Sequence, residues 1–203
     1  MTSMWGSRAA ARRAGALVLV AAVVPALAGC SVLGLEQEQT PLTGVAACAL
    51  GHTWTSDLTD AAAQVAASLT GDGVPVTSVV AEGTQTLEWD TRGHVILSPD
   101  YTVTVTTSPA ADQVLTLVKT YSGQATGAAY INGDIAIPRK WDGAELSIDT
   151  VVQLNGEIVE EPPFDLPPTS FDDSVGLLLT CDGSTLTIQP RGDQIVQIWT
   201  RSG

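Results

Sequence analysis

Basic residues are scarce in this 203-residue chain: 9 Lys and Arg stand against 22 Asp and Glu, for a formal net charge of −13. Nucleic-acid binding needs clustered cations to displace condensed counterions, so that class is excluded. Histidine is scarcer still. His52 and His94 are the only two, and neither sits in a pair with metal-ligand spacing, so no metal is expected. Aromatics make up 5% of the residues, which argues against a cleft that stacks sugar rings between paired carboxylates. There is no Gly-x-Ser-x-Gly elbow, no Ser-x-x-Lys and no glycine-rich phosphate loop before a helix. The acidic pairs Glu160-Glu161 and Asp172-Asp173 lack the alternating oxygen-ligand pattern of a calcium loop and read as solvated. With no recognisable catalytic constellation, no enzyme, no catalytic residue and no cofactor is expected.

What is present starts at the N-terminus. Mean hydropathy is +0.20 despite the charge, so an apolar run must be concentrated somewhere. It is residues 15–29, GALVLVAAVVPALAG, preceded by Arg8, Arg12 and Arg13 with no acid. A basic region, a short apolar run and a small-residue end form an export signal. The run is shorter than the ~20 residues of a membrane-spanning helix. The pair Arg12-Arg13 leaves both the general secretory and the twin-arginine routes open. Leu27-Ala28-Gly29-Cys30 closes the segment and resembles a bacterial lipobox. That resemblance implies cleavage after Gly29 and a diacylglyceryl group on Cys30, which would hold the chain at the outer face of the cell membrane. Several acyl chains make such anchoring stable where one is marginal. The expected organisation is a signal peptide over residues 1–29, a lipidated tether over 30–46 and one folded domain over 47–203. Cleavage removes three Arg and no acid, which takes the net charge from −13 to −16. A surface so acidic is repelled by anionic headgroups, so the lipid must do the anchoring.

Three cysteines exist. With Cys30 used by the lipobox, Cys48 and Cys181 remain. An even remainder in an exported chain points to one disulfide, joining the start of the domain to its C-terminal strands.

One amphipathic helix is expected near the start of the domain. Ser56 serves as its cap, Asp57 and Asp60 fall in the first turn, and Gly71 lies just past its end. Leu58, Ala61, Ala62, Val65 and Leu69 form its apolar stripe. Everything after Gly73 reads as short strands between turn residues: 84–89, 94–97, 101–106, 113–120, 124–131, 135–137, 146–154, 177–181, 185–189 and 195–200. Thr102, Thr104 and Thr106 alternate with Val103 and Val105. Asn132-Gly133 is the sharpest hairpin signal. Residues 157–174 hold four Pro and six acids and are expected to loop out. The fold class is therefore all-β and antiparallel, a barrel or sandwich.

Leu50-Gly51-His52-Thr53-Trp54 before the helix and Trp199-Thr200-Arg201 in the last strand add a family resemblance. With the glycine-flanked hairpins between them, they resemble the lipocalin-like small lipoproteins of high-GC Gram-positive bacteria. The resemblance implies an antiparallel barrel plugged at one end by Trp54 and Arg201 in a cation–π contact, and a small apolar ligand inside. An open half-barrel on a helical layer is the second architecture considered. Trp89 and Trp141 stand beside turns and are candidates for the rim of a ligand site, or for ordinary core packing. Two functions are expected to compete. The first is an envelope lipoprotein binding a small apolar molecule or lipid. The second is a structural or protein-interaction module with a solid barrel and an acidic Pro-rich loop.

Overall fold

The structure, a computed structural model of the chain, describes residues 41–160, Phe164 and residues 175–202. The signal segment, Cys30 and most of the acidic Pro-rich stretch lie outside the described residues. Two helices and nine strands follow in the order α1 (Gly44–Ala49), β1 (His52–Ser56), α2 (Leu58–Gly71), β2 (Val76–Trp89), β3 (His94–Ala110), β4 (Gln113–Asn132), β5 (Ile135–Leu154), β6 (Glu157–Val159), β7 (Leu177–Cys181), β8 (Thr185–Pro190) and β9 (Gln197–Arg201). Every pairing is antiparallel. The strands run β4-β3-β2-β1-β9-β8-β7-β5, and β4 also pairs with β5, so the sheet closes into a ring. β6 hangs on the far end of β5, opposite residues 152–154.

The ring closes at one end only. β1, β7, β8 and β9 are five or six residues long, whereas β2 to β5 run for 14, 17, 20 and 20 residues. The four long strands therefore continue past the ring as a sheet. Each was expected as two shorter strands, or, in β2, as a shorter one. Pro99 illustrates why they fuse. It has no N–H, and the β3–β4 register skips residues 98–100, but Pro99 still lies opposite Gln85 of β2, so β3 runs through. In β2 and β4 the breaks are bends. Gly83 (φ +117°) and Gly123 (φ +94°) sit inside β2 and β4, in a region that favours glycine. A Cβ at Gly83 would lie 2.3 Å from the Asp100 carbonyl oxygen, and one at Gly123 would lie 2.0 Å from that of Glu145. Gly83→Ala is accordingly expected to destabilise by about 1–3 kcal/mol, read as a lower urea midpoint at unchanged slope. An unaltered midpoint would show that the bend is not strained by a side chain.

These bends separate two cores. The ring encloses Trp54, Leu87, Trp89, Leu97, Leu179, Leu186, Ile188 and Trp199. The extended sheet holds Tyr101, Val103, Val105, Leu117, Tyr121 and Val152 against Leu69 of α2. Tyr101 and Tyr121 stack at 4.7 Å just beyond the bend. On β3 the Thr/Val alternation resolves as expected. Val103 and Val105 are buried while Thr102, Thr104 and Thr106 sit on the other face, with Thr102 and Thr120 hydroxyls 3.1 Å apart.

α2 exists where its stripe places it, with two corrections. Asp57, not Ser56, is the cap: its carboxylate accepts from the Thr59 and Asp60 N–H groups at 3.0 and 3.1 Å. Ser56 ends β1, opposite Trp199. Gly71 is the last helical residue, and Asp72 caps the end. Gln64 ties α2 down through its amide, donating to Val196 O at 2.6 Å and accepting from Val196 N at 2.8 Å. Gly44 to Ala46, counted with the tether from sequence, belong to α1. Of the expected 157–174 loop, the first three residues pair as β6 and the rest is largely undescribed. No helix among the described residues is long and apolar enough to cross a membrane.

Candidate functional site

The closed end of the ring is built by α1, β1, β7 and β9. Cys48 in α1 and Cys181 at the end of β7 form the expected disulfide, with Cα atoms 6.0 Å apart and a sequence separation of 133. The bond fastens α1 to β7. Trp54, in the middle of β1, is fully buried, and its indole N–H donates to the Ala49 carbonyl at 3.0 Å. The β1–β9 register sets Arg201 opposite Trp54. The Arg201 guanidinium lies 5.3 Å from the Trp54 ring centre and donates to the Cys48 carbonyl at 3.0 Å. Trp54, Arg201 and the disulfide thus converge on one closure, with a tryptophan filling it and an arginine covering the tryptophan. His52 meets Trp54 edge-on at 6.0 Å. Thr55 and Ser202 hydroxyls, 2.7 Å apart, and the Ser202 N–H on Thr53 O at 2.9 Å extend the seam beyond β9.

Trp89 and Trp141 also come together. They line one pocket with Leu87, Val95, Pro138 and Ile188, and its walls are apolar. Trp89 is 3% exposed, so it forms a wall rather than a rim. Its indole N–H is buried and has no hydrogen-bond partner among the described residues. Trp141 is half-buried and leans on Gly127, where a Cβ would lie 2.6 Å from its ring. The cavity left between these side chains is about 10 Å³, the room of a single water.

Polar chemistry lies at the surface. His94 contacts Asp90 at 3.1 Å in the β2–β3 turn, both exposed. Slight burial raises the Asp90 pKa, but the N–H groups of His94 and Arg92 and the imidazole outweigh it and leave the carboxyl below its ordinary value. Among the described residues, no three His, Cys, Asp or Glu side chains gather as metal ligands.

Three features escaped sequence reasoning. Trp199 is fully buried and packs in the ring core with Trp54. α1 carries one end of the disulfide on a helix too short for periodicity to reveal. An exposed apolar row crosses the outside of the ring: Tyr130 (57% exposed), Ile137 (39%) and Leu178 (37%). Its signal lies in adjacent apolar residues, Tyr130-Ile131 and Leu177-Leu178-Leu179, because a strand that alternates faces must turn one of each pair outward. The fold and site define an antiparallel β-ring with a disulfide-stapled, tryptophan-plugged end. Comparison of the chain with family models, curated proteins and solved structures finds no match.

Proposed function

We propose that the chain is a non-enzymatic cell-envelope lipoprotein, held at the outer face of the cell membrane through Cys30, whose lipocalin-like β-barrel is a solid structural or protein-interaction module. One observation carries this choice over the ligand carrier. Trp54, Trp199, Leu87, Leu179, Leu186 and Ile188 are all at most 1% exposed inside the ring, and only about 10 Å³ stays free beside Trp89. A drug-sized ligand needs roughly 300 Å³ or more. Titration with a fluorescent fatty acid tests it: the module shows no saturable binding, and a saturable site would overturn it.

The carrier remains the second reading, on one specific ground. The unpaired Trp89 N–H in an apolar pocket suits an apolar molecule bearing one acceptor oxygen, provided that Trp141 swings outward. In that case Trp89→Phe weakens fatty-acid binding; without saturable binding this alternative is rejected.

The anchor has its own test. Cys30→Ala is expected to block signal removal and lipidation and to shift the protein out of its normal membrane-bound, processed form in cell fractionation. Unchanged processing together with unchanged membrane retention would refute the lipobox reading.

A further inference from the structure

The chain after cleavage at Gly29 carries only six cations: Arg92, Lys119, Arg139, Lys140, Arg191 and Arg201. Four of them border the exposed row on the outside of the ring, Arg191 through its side chain, which lies beside Ile135 at Gly176. Tyr130 pairs with Ile137 across β4 and β5, and Ile135 pairs with Leu178 across β5 and β7. Ala129 and Ile131 pack into the ring core, as do Ala136, Leu177 and Leu179, so Tyr130, Ile135, Ile137 and Leu178 take the outer face by strand alternation. Arg139 lies 6.0 Å from the centre of the Tyr130 ring, and Lys140 follows it. The turn holding Arg92 abuts the same place, since Ala129 N donates to Gly93 O at 2.8 Å. Four carboxylates stand nearby in sequence, Asp90, Asp134, Asp142 and Asp182, and three of them are occupied, Asp142 by the Ala144 N–H at 2.9 Å. Asp90 accepts from Arg92 and His94 N–H groups, and Asp182 accepts from Thr185 N–H. With Arg191 and its neighbour Asp193 included, four cations against five acids is close to balance, and Lys119 and Arg201 are left with the other seventeen acids.

This row is also where the tether is rooted. The described chain begins at Pro41, leads into α1, and α1 packs on β7 and is bonded to it through Cys48–Cys181. Leu178 lies three residues before Cys181, about 10 Å along the strand. Cys30 lies thirteen positions before Thr43, a reach of at most about 45 Å.

We propose that the outer face formed by Tyr130, Ile135, Ile137 and Leu178, with Arg139, Lys140, Arg92 and Arg191 at its border, docks on the lipid surface that carries the anchor. This rests on Cys30 being lipidated. The apolar side chains enter the headgroup boundary, Tyr130 sits at its polar edge, and the cations meet lipid phosphates. Among the described residues the more acidic surface elsewhere is repelled, so this near-neutral face is the better tolerated against anionic headgroups. The leash raises the local lipid concentration, and a patch too weak to bind membrane by itself is then sufficient. Docking would fix the orientation: the stapled ring lies on the membrane and the extended sheet of β2 to β5 projects from it.

The test is photocrosslinking of the lipidated, processed protein in phosphatidylglycerol-containing vesicles. Benzoylphenylalanine is placed singly at Leu33 in the tether, at Ile137 in the patch, and at Val80, an exposed site on the extended sheet. Unchanged melting confirms that each variant folds. The expected result is a phospholipid adduct at Leu33 and at Ile137, the latter at least about tenfold above Val80. Lipid adducts at Leu33 with none at Ile137, or with only protein-to-protein adducts there, would overturn the docking face and leave the anchor standing. No lipid adduct at Leu33 would remove the anchor and this proposal with it.

Discussion

Replacing Cys48 and Cys181 together by serine lowers the unfolding free energy by about 4–5 kcal/mol in the chain-entropy account, because the bond closes a loop of 133 residues. Against the 5–15 kcal/mol typical of a domain, that is a large share. Melting should fall by roughly 10–20 °C for a domain of this size. The loss arises mostly in the unfolded chain, which regains the freedom to separate its ends. The folded ring is expected to persist, since the β1–β9 ladder and the Arg201 bond to Cys48 O do not need the sulfurs. Far-ultraviolet circular dichroism should therefore be unchanged at low temperature while the urea midpoint drops. A loss under about 1 kcal/mol would mean that the unfolded ensemble already holds these ends together.

Trp54→Ala is expected to cost about 3–5 kcal/mol. Three contributions add. The largest is the void left at a fully buried position in the ring core. Next, the Ala49 carbonyl loses the indole donor 3.0 Å away, with about 1–3 kcal/mol at stake for a buried acceptor left unpaired. Last, the Arg201 guanidinium loses the ring beneath it. Trp54→Phe separates them, since it refills most of the volume and restores an aromatic face but not the donor. A double-mutant cycle of Trp54→Leu, which removes the aromatic face, and Arg201→Gln isolates the coupling, expected at about 0.5–2 kcal/mol. A coupling of zero would make Arg201 a bystander held by the Cys48 carbonyl alone.

Local signals in the sequence were legible wherever chemistry and geometry agree within a few residues. The Asn132-Gly133 and Asp182-Gly183 turns, the Thr/Val alternation of β3, the apolar stripe of α2 and the cysteine pairing all reappear. Trp54 and Arg201, both singled out from the sequence, lie 5.3 Å apart, ring centre to guanidinium. What was illegible depends on partners distant in sequence. β1 reads His-Thr-Trp-Thr-Ser, with one apolar side chain and no alternation to recognise, and it is a strand because β2 and β9 flank it. Pro99, Gly83 and Gly123 look like strand breaks, yet neighbours on either side carry β2, β3 and β4 through them. The cap moved from Ser56 to Asp57 because β9 claims the Ser56 backbone. Trp89, beside a turn, was open to both a rim and a core reading, and pairing with His52 and Val95 encloses it.

The solid ring is the central claim, and native mass spectrometry of the protein purified from its own host addresses it most directly. The account predicts the mass of the processed chain with its disulfide and its acyl groups on Cys30, and nothing more. A further stoichiometric mass of an apolar molecule, released on denaturation, would contradict it.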